Sequence, residues 1–247
     1  MKKINFKLIA AIVAAGLLIA IGAFVVWAND AYPPGEPALQ ALTSDTLVNI
    51  KLESGVYTFT PVNTAPALGF IFYPGGRVDY RAYAPVLRMI AEKGYFVALL
   101  PAPLNLAFFD INAAEPVLAQ HPEITQWVVS GHSLGGVTAS LFAKDHLAQL
   151  DGLVFFASYP ADDSLKQADI KVLSIYGTRD MAGVKKFEET KALLSTDTQY
   201  VVIEGGNHAQ FGSYGPQAGD NQAAISAEEQ WTQVTTATLE FLKELER

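Results

Sequence analysis

Gly131-His132-Ser133-Leu134-Gly135 sets one serine between two glycines, each two residues away from it. Trp127, Val128 and Val129 precede the motif as a short apolar run, and Val137, Ala139, Leu141 and Phe142 follow it at helical spacing, so the serine stands where a buried strand turns into a helix. A turn this tight needs residues without a Cβ on both sides, and it presents the serine Oγ at its tip. Such a serine becomes a nucleophile when a base takes its proton, and the base is ordinarily a histidine held in one tautomer by a carboxylate. A plain glycine-rich turn has the same letters; the strand before and the helix after favour the nucleophile.

The chain has four histidines. His132 lies inside the motif, His121 stands before a strand in AQHPEI, and His146 ends a helix, where the carbonyl end of the dipole suits it. His208, in IEGGNHAQFG, follows the last apolar strand, and Gly205 and Gly206 free the backbone to swing its side chain over the sheet edge. It is the candidate base. For the acid, Asp180 in SIYGTRD follows one strand, while Asp162 and Asp163 in SYPADD follow the strand before it and stay open as alternatives to the preferred Asp180. The oxyanion formed during acyl transfer needs preorganised donors. The backbone N–H of Leu134, directly after the serine, is one; Gly76 in YPGGRVDY is the other, with Arg77 as its alternative.

These groups need a scaffold that brings strand ends together. TLVNIKLESGVYTFTP (46 to 61) reads as a hairpin about Ser54-Gly55. ALGFIFYP, YFVALLP, QWVVS, GLVFFAS, KVLSIYG and TQYVVIEG are short continuous apolar runs, as strands covered on both faces would be, with helical periods between most of them. The alternation predicts an α/β fold: an open, mainly parallel sheet of about eight strands with helices on both faces, binding ligands beyond the carboxyl ends of its strands. The acid-base order Ser, Asp, His along the chain suits that fold.

The set GHSLGG, GTRD and GGNH, from Gly131 to His208, resembles the α/β-hydrolase superfamily from about residue 46 to the end. FYPGGRVDYRAYAP, SIYGTRD and GGNHAQFGSYGPQAGD together are similar to a small lidless subgroup grouped with dienelactone-hydrolase-like domains. Dienelactone hydrolases use a cysteine nucleophile, whereas this chain has Ser133 and no cysteine; the resemblance therefore implies carboxylic ester hydrolysis. Many relatives insert a cap after the sixth strand, but here only YPADDSLKQADI separates Ser158 from Lys171, so an open site is expected. Phe211 and Tyr214 are the candidate substrate-binding wall, and PLNLAFF (103 to 109) is a second one.

Lys2, Lys3 and Lys7 flank an uncharged apolar run from Leu8 to Ala28, long enough at about 1.5 Å per residue to cross a hydrocarbon core of roughly 30 Å. The basic flank predicts a cytoplasmic N-terminus and an extracytoplasmic catalytic domain. The run is longer than a typical signal core, which favours a transmembrane anchor over a signal cut after Ala28 and secretion. The expected organisation is an anchor or signal segment at 1–28, a proline-rich linker at 29–45 and a catalytic domain at 46–247.

A net charge of −8 and a pI near 5.0 exclude a nucleic-acid partner, since no basic stripe is present. With no cysteine there is no disulfide or thiolate metal site, and no motif calls for a metal or organic cofactor. The expected function is a membrane-tethered serine esterase acting on short-chain or small esters. An acyltransferase or thioesterase with the same triad is the alternative, and a non-catalytic surface interaction module is the reading from a different class.

Overall fold

The computed structural model describes residues 6–246; Lys2, Lys3 and Arg247 lie outside the described residues. α1 (Phe6–Asn29) is the apolar helix. From Ile9 to Asn29 its mean hydropathy is 2.8, and apart from Ala28 at its foot it is not buried against the rest of the chain, so length and composition make it a candidate membrane span.

The segment 29–45 is not a free tether. It forms α2 (Glu36–Ala41), started by Pro37, with Ala38 and Ala41 buried against the domain. Tyr32 bridges to Val78 in parallel, and the Gly35 N–H donates to the Ser213 carbonyl at 2.6 Å. Prolines and polar residues suggested a spacer; a few small apolar side chains and backbone bonds were enough to dock it.

β1 (Val48–Glu53) and β2 (Val56–Pro61) form the hairpin. Its turn residues Ser54 and Gly55 both have positive φ, 51° and 85°, the conformation whose twist matches paired strands. β3 (Leu68–Tyr73), β4 (Phe96–Leu99), β5 (Gln126–His132), β6 (Gly152–Phe156), β7 (Lys171–Gly177) and β8 (Gln199–Ile203) complete an eight-stranded sheet in the order β1-β2-β4-β3-β5-β6-β7-β8. The first two pairings are antiparallel and the remaining five parallel. Every residue of β3, β5 and β6 is buried, as the continuous apolar runs require of strands covered on both faces.

Alternate strand residues feed two cores. Phe70, Phe72, Val128, Val154 and Ile175 pack on one face with α3 (Ala84–Ala91). Ile71, Tyr73, Val129 and Phe155 pack on the other with Val117 of α4 (Glu115–Gln120) and Ala139 and Phe142 of α5 (Leu134–Asp145). α6 (Val184–Thr190) lies beside β7, with Phe187 stacked on Tyr176 at 4.3 Å. α7 (Ala227–Leu245) closes the first face through Trp231, Val234 and Phe241; Ser226 caps it by accepting the Glu229 N–H at 3.1 Å.

From β3 the chain runs to β4 on one side, and then to β5 on the other. That reversal opens a crevice beyond the carboxyl ends of β3 and β5, which is where Gly75-Gly76 and Ser133 fall. Residues 157–170, between β6 and β7, contain no helix or strand, so no cap domain is built there. The connection from β4 to β5 instead carries two 3₁₀ turns, Pro103–Asn105 and Ala107–Ala114, ahead of α4.

Candidate active site

Ser133 ends β5 and begins α5 with φ 52° and ψ −120°, a backbone state that costs about 1–3 kcal/mol for a residue with a Cβ. The turn is held by several backbone bonds. Ser133 N–H donates to the Phe156 carbonyl at 3.0 Å, and the Ser133 carbonyl accepts from Ser158 Oγ at 2.6 Å and from the Gly136 N–H at 3.1 Å. The glycines are required by contact: a Cβ at Gly135 would stand 2.2 Å from the Tyr73 carbonyl oxygen, and one at Gly131 would stand 2.3 Å from the Gly135 carbonyl carbon. α5 therefore starts pressed on the end of β3, and Ser133 remains partly exposed at the crest.

His208 Nδ1 lies 2.8 Å from Asp180 Oδ2, with both side chains almost fully buried. Asp180 follows β7 and His208 follows β8, and the two loops touch backbone to backbone. A Cβ at Gly177 would fall 2.1 Å from the Gly206 carbonyl oxygen, to which the Arg179 N–H donates at 2.9 Å. Asp180 Oδ1 accepts the Ala182 N–H at 2.8 Å. With both carboxylate oxygens engaged, the Asp180 side chain is fixed and His208 Nδ1 carries the proton it donates; Nε2 is the ring atom left to accept another. Gln230 of α7, fully buried, accepts the Asn207 N–H at 3.0 Å and donates to the Asn207 carbonyl at 2.8 Å, pinning the loop from below.

His132 joins three loops. Gly75 N–H donates to the Tyr83 hydroxyl at 3.1 Å, the Tyr83 hydroxyl donates to His132 Nδ1 at 2.8 Å, and His132 Nε2–H donates to the His208 carbonyl at 3.1 Å. The His132 ring also lies 4.5 Å from the His208 ring. The Ser133 turn, the His208 loop and the loop after β3 are thus one buried hydrogen-bonded unit.

In that last loop the Arg77 N–H is donated to the Asn105 carbonyl at 2.8 Å, and the Gly75 N–H is taken by Tyr83. The N–H groups of Gly76 and Leu134 have no acceptor among the described residues. The two residues adjoin, since a Cβ at Gly76 would lie 3.0 Å from Leu134 Cδ2. Two unspent donors beside a serine can receive a developing oxyanion.

Residues 69–232 match the profile of the alpha/beta hydrolase family. The chain belongs to that family. No curated protein matches the chain by sequence. Among solved structures it is similar to a predicted CIB-like hydrolase from Thermoplasma acidophilum, at 14% identity and TM-score 0.57 over 80% of this chain and 99% of that one. It is also similar to a dienelactone hydrolase from Anabaena variabilis, at 14% identity and TM-score 0.56 over 78% and 98%. A carboxylesterase from Bacillus subtilis aligns at 12% identity and TM-score 0.57 over 89% and 98%. At such identities the likeness is one of fold.

Within this alpha/beta hydrolase several sequence candidates lie away from the crevice. Phe211 is fully buried, packed on His132 at 5.6 Å and on Phe156, and Tyr214 is buried against Tyr32 and Tyr83. They are core residues and offer no acyl surface; glycines around them suggested an irregular exposed loop, but the loop folds its aromatics inward. Asp162 is exposed and accepts the Ser164 N–H, with Lys144 Nζ 3.8 Å away, and Asp163 is exposed as well. Neither is placed on His208. His121 pairs with Glu123, and His146 bonds the Phe142 carbonyl and Glu115. Among the described residues no group of three or more His, Cys, Asp or Glu could hold a metal ion. Sequence reasoning missed the roles of Tyr83, Gln230 and His132, because they bond across 23 to 76 residues and carry no local signature.

Burial, and then the charge of His208, hold the His132 pKa well below 6.5. The unfolded ring takes a proton as pH falls through about 6.5, while the folded ring stays neutral until well below that. The unfolded state binds more protons in this window, so stability should fall with falling pH by up to about 1.4 kcal/mol per pH unit from this group. Urea unfolding at steps from pH 7 to 5 should show a steeper loss for the wild type than for His132→Asn, whose Oδ1 can still accept from Tyr83. Equal slopes would show that His132 is not held neutral.

Proposed function

We propose that this alpha/beta hydrolase cleaves carboxylic esters through Ser133, His208 and Asp180. The observation that carries the reading is the buried Asp180–His208 pair, 2.8 Å apart and joined through the His132–His208 carbonyl hydrogen bond to the turn that bears Ser133. In this reading Ser133 Oγ attacks the ester carbonyl carbon while its proton passes to His208 Nε2. The oxyanion is received by the N–H groups of Gly76 and Leu134. The alcohol leaves with the proton from His208, and a water, deprotonated in turn by His208, releases the acid from the acyl-enzyme. Fold neighbours named as esterases and hydrolases support hydrolase activity.

An acyltransferase or thioesterase would use the same groups and differ in the acceptor or leaving group. A non-catalytic module would have no reason to retain a strained serine at φ 52°. For a substrate that reaches the site from water, the absence of a cap favours short or small acyl groups, because the protein itself offers little enclosed surface for a long chain. The reading also places the domain outside the cytoplasm on a retained anchor. Ala28, the last residue before the expected cut, is fully buried, and its carbonyl accepts from Asn105 Nδ2 at 3.1 Å.

A fluorophosphonate probe should label the full-length chain in carbonate-washed membranes and should fail to label Ser133→Ala. Competition by p-nitrophenyl acetate, and not by a matching amide, would support ester chemistry. Labelling confined to a shorter soluble form would show that α1 is removed, and no labelling would sink the nucleophile.

A further inference from the structure

The foot of α1 is docked on the loop that carries Gly76. Arg77 Nε donates to the Trp27 carbonyl at 3.0 Å, its Nη2 to the Asp30 carbonyl at 2.6 Å and to Asp30 Oδ2 at 3.1 Å, and its guanidinium lies 4.7 Å over the Trp27 ring. Asn105 Nδ2 holds the Ala28 carbonyl. Arg77 in one loop and Leu104 and Asn105 in the next all have positive φ, between 53° and 55°, left-handed non-glycine conformations that persist only where surroundings over-determine them. The helix and the mouth of the crevice therefore have a fixed spatial relation.

That relation brings apolar surface beside the helix. The segment after Leu106, whose Cδ2 is 3.6 Å from the position a Gly76 Cβ would take, exposes Phe108 and Phe109 at 40% and 48%. Phe109 meets Phe24 edge-on at 6.1 Å, and the Phe108 and Phe109 rings lie 4.4 Å apart. Phe24 is five residues before the end of α1, about 7.5 Å along its axis. Phe109 thus sits alongside the apolar span, not beyond it, while Trp27, Asp30 and Arg77 stand at the span's end. An aromatic residue and charges at that level are what a membrane–water boundary accommodates. Two phenylalanines on water beside an unburied apolar helix are otherwise an unpaired surface.

We propose that Phe108 and Phe109 enter the outer edge of the lipid bilayer next to α1, holding the crevice mouth at the membrane surface, and that the substrate is a lipid-soluble ester presented from the bilayer. This rests on the ester chemistry proposed above and adds the source of the substrate. A site without an enclosed acyl pocket need not bury a long chain if the bilayer keeps it, and only the carbonyl has to reach Ser133.

The chain has no cysteine, so a single introduced thiol can be labelled cleanly. In full-length protein reconstituted in phosphatidylcholine vesicles, bimane on Phe109→Cys should be quenched by spin-labelled acyl chains, and bimane on the exposed Lys51→Cys should not. Turnover of p-nitrophenyl palmitate held in the vesicles, divided by that of p-nitrophenyl acetate in water, should fall at least tenfold in a Phe108→Ser/Phe109→Ser protein. Absence of quenching at position 109 would overturn the membrane contact. An unchanged ratio with quenching present would overturn delivery from the bilayer. Loss of acetate turnover in the wild type would instead strike the ester reading and leave the quenching to decide the placement.

Discussion

Ser133→Ala should lower ester turnover by about 10⁴- to 10⁶-fold and leave the fold intact. The size follows from the cooperation of the groups: without Oγ no acyl-enzyme forms, and the buried Asp180–His208 pair has no nucleophile to serve. The fold survives because the turn is held by backbone bonds to Phe156, Ser158 and Gly136, all of which alanine retains, and because alanine at φ 52° carries a strain similar to that of serine. Turnover of p-nitrophenyl acetate, with circular dichroism and thermal melting on the same preparation, checks both halves. Wild-type turnover in a folded variant would remove Ser133 from the mechanism.

Asp180→Asn should cost about 10⁴-fold in kcat. In the native site Oδ1 receives the Ala182 N–H and Oδ2 receives the His208 Nδ1 proton. An asparagine that keeps its oxygen on Ala182 turns its NH₂ toward Nδ1, which must then become the acceptor. The ring proton moves to Nε2, and His208 can no longer take the proton of Ser133. Asp162→Asn and Asp163→Asn should each change kcat by less than about tenfold, since both side chains are exposed and Asp162 bonds within its own turn. Steady-state kinetics of the three variants decide the acid. An inactive Asp162→Asn or Asp163→Asn beside an active Asp180→Asn would move it to the loop after β6.

The element plan was legible in the chain because each element carries a local period. Continuous apolar runs of four to seven residues became β3 to β8, and the run after Ser133 became α5. The proline-rich segment misled for the same local reason: composition described a spacer, while docking of Ala38, Ala41 and Tyr32 depended on surfaces supplied by residues much later in the chain. Phe211 and Tyr214 were misjudged likewise. Flanking glycines say that a loop is irregular, not which way its aromatics turn.

For the candidate site, sequence alone determined the chemistry on offer. G-x-S-x-G between an apolar run and a helical period favours a tight turn with an exposed hydroxyl over a plain glycine-rich turn, and His208 was the histidine placed past the last strand among glycines. Which carboxylate faces that histidine was decided by tertiary structure, through the backbone contact of Gly177 with Gly206 that sets Asp180 against His208. The bonds through Tyr83, His132 and Gln230, and the docking of Arg77 on the foot of α1, were decided there too. Local pattern reports what a residue does to its neighbours in the chain, where the turn and the strand are formed. A hydrogen bond between loops at distant strand ends is formed only when the sheet sets those ends side by side, and its partners have no spacing in sequence that would announce them.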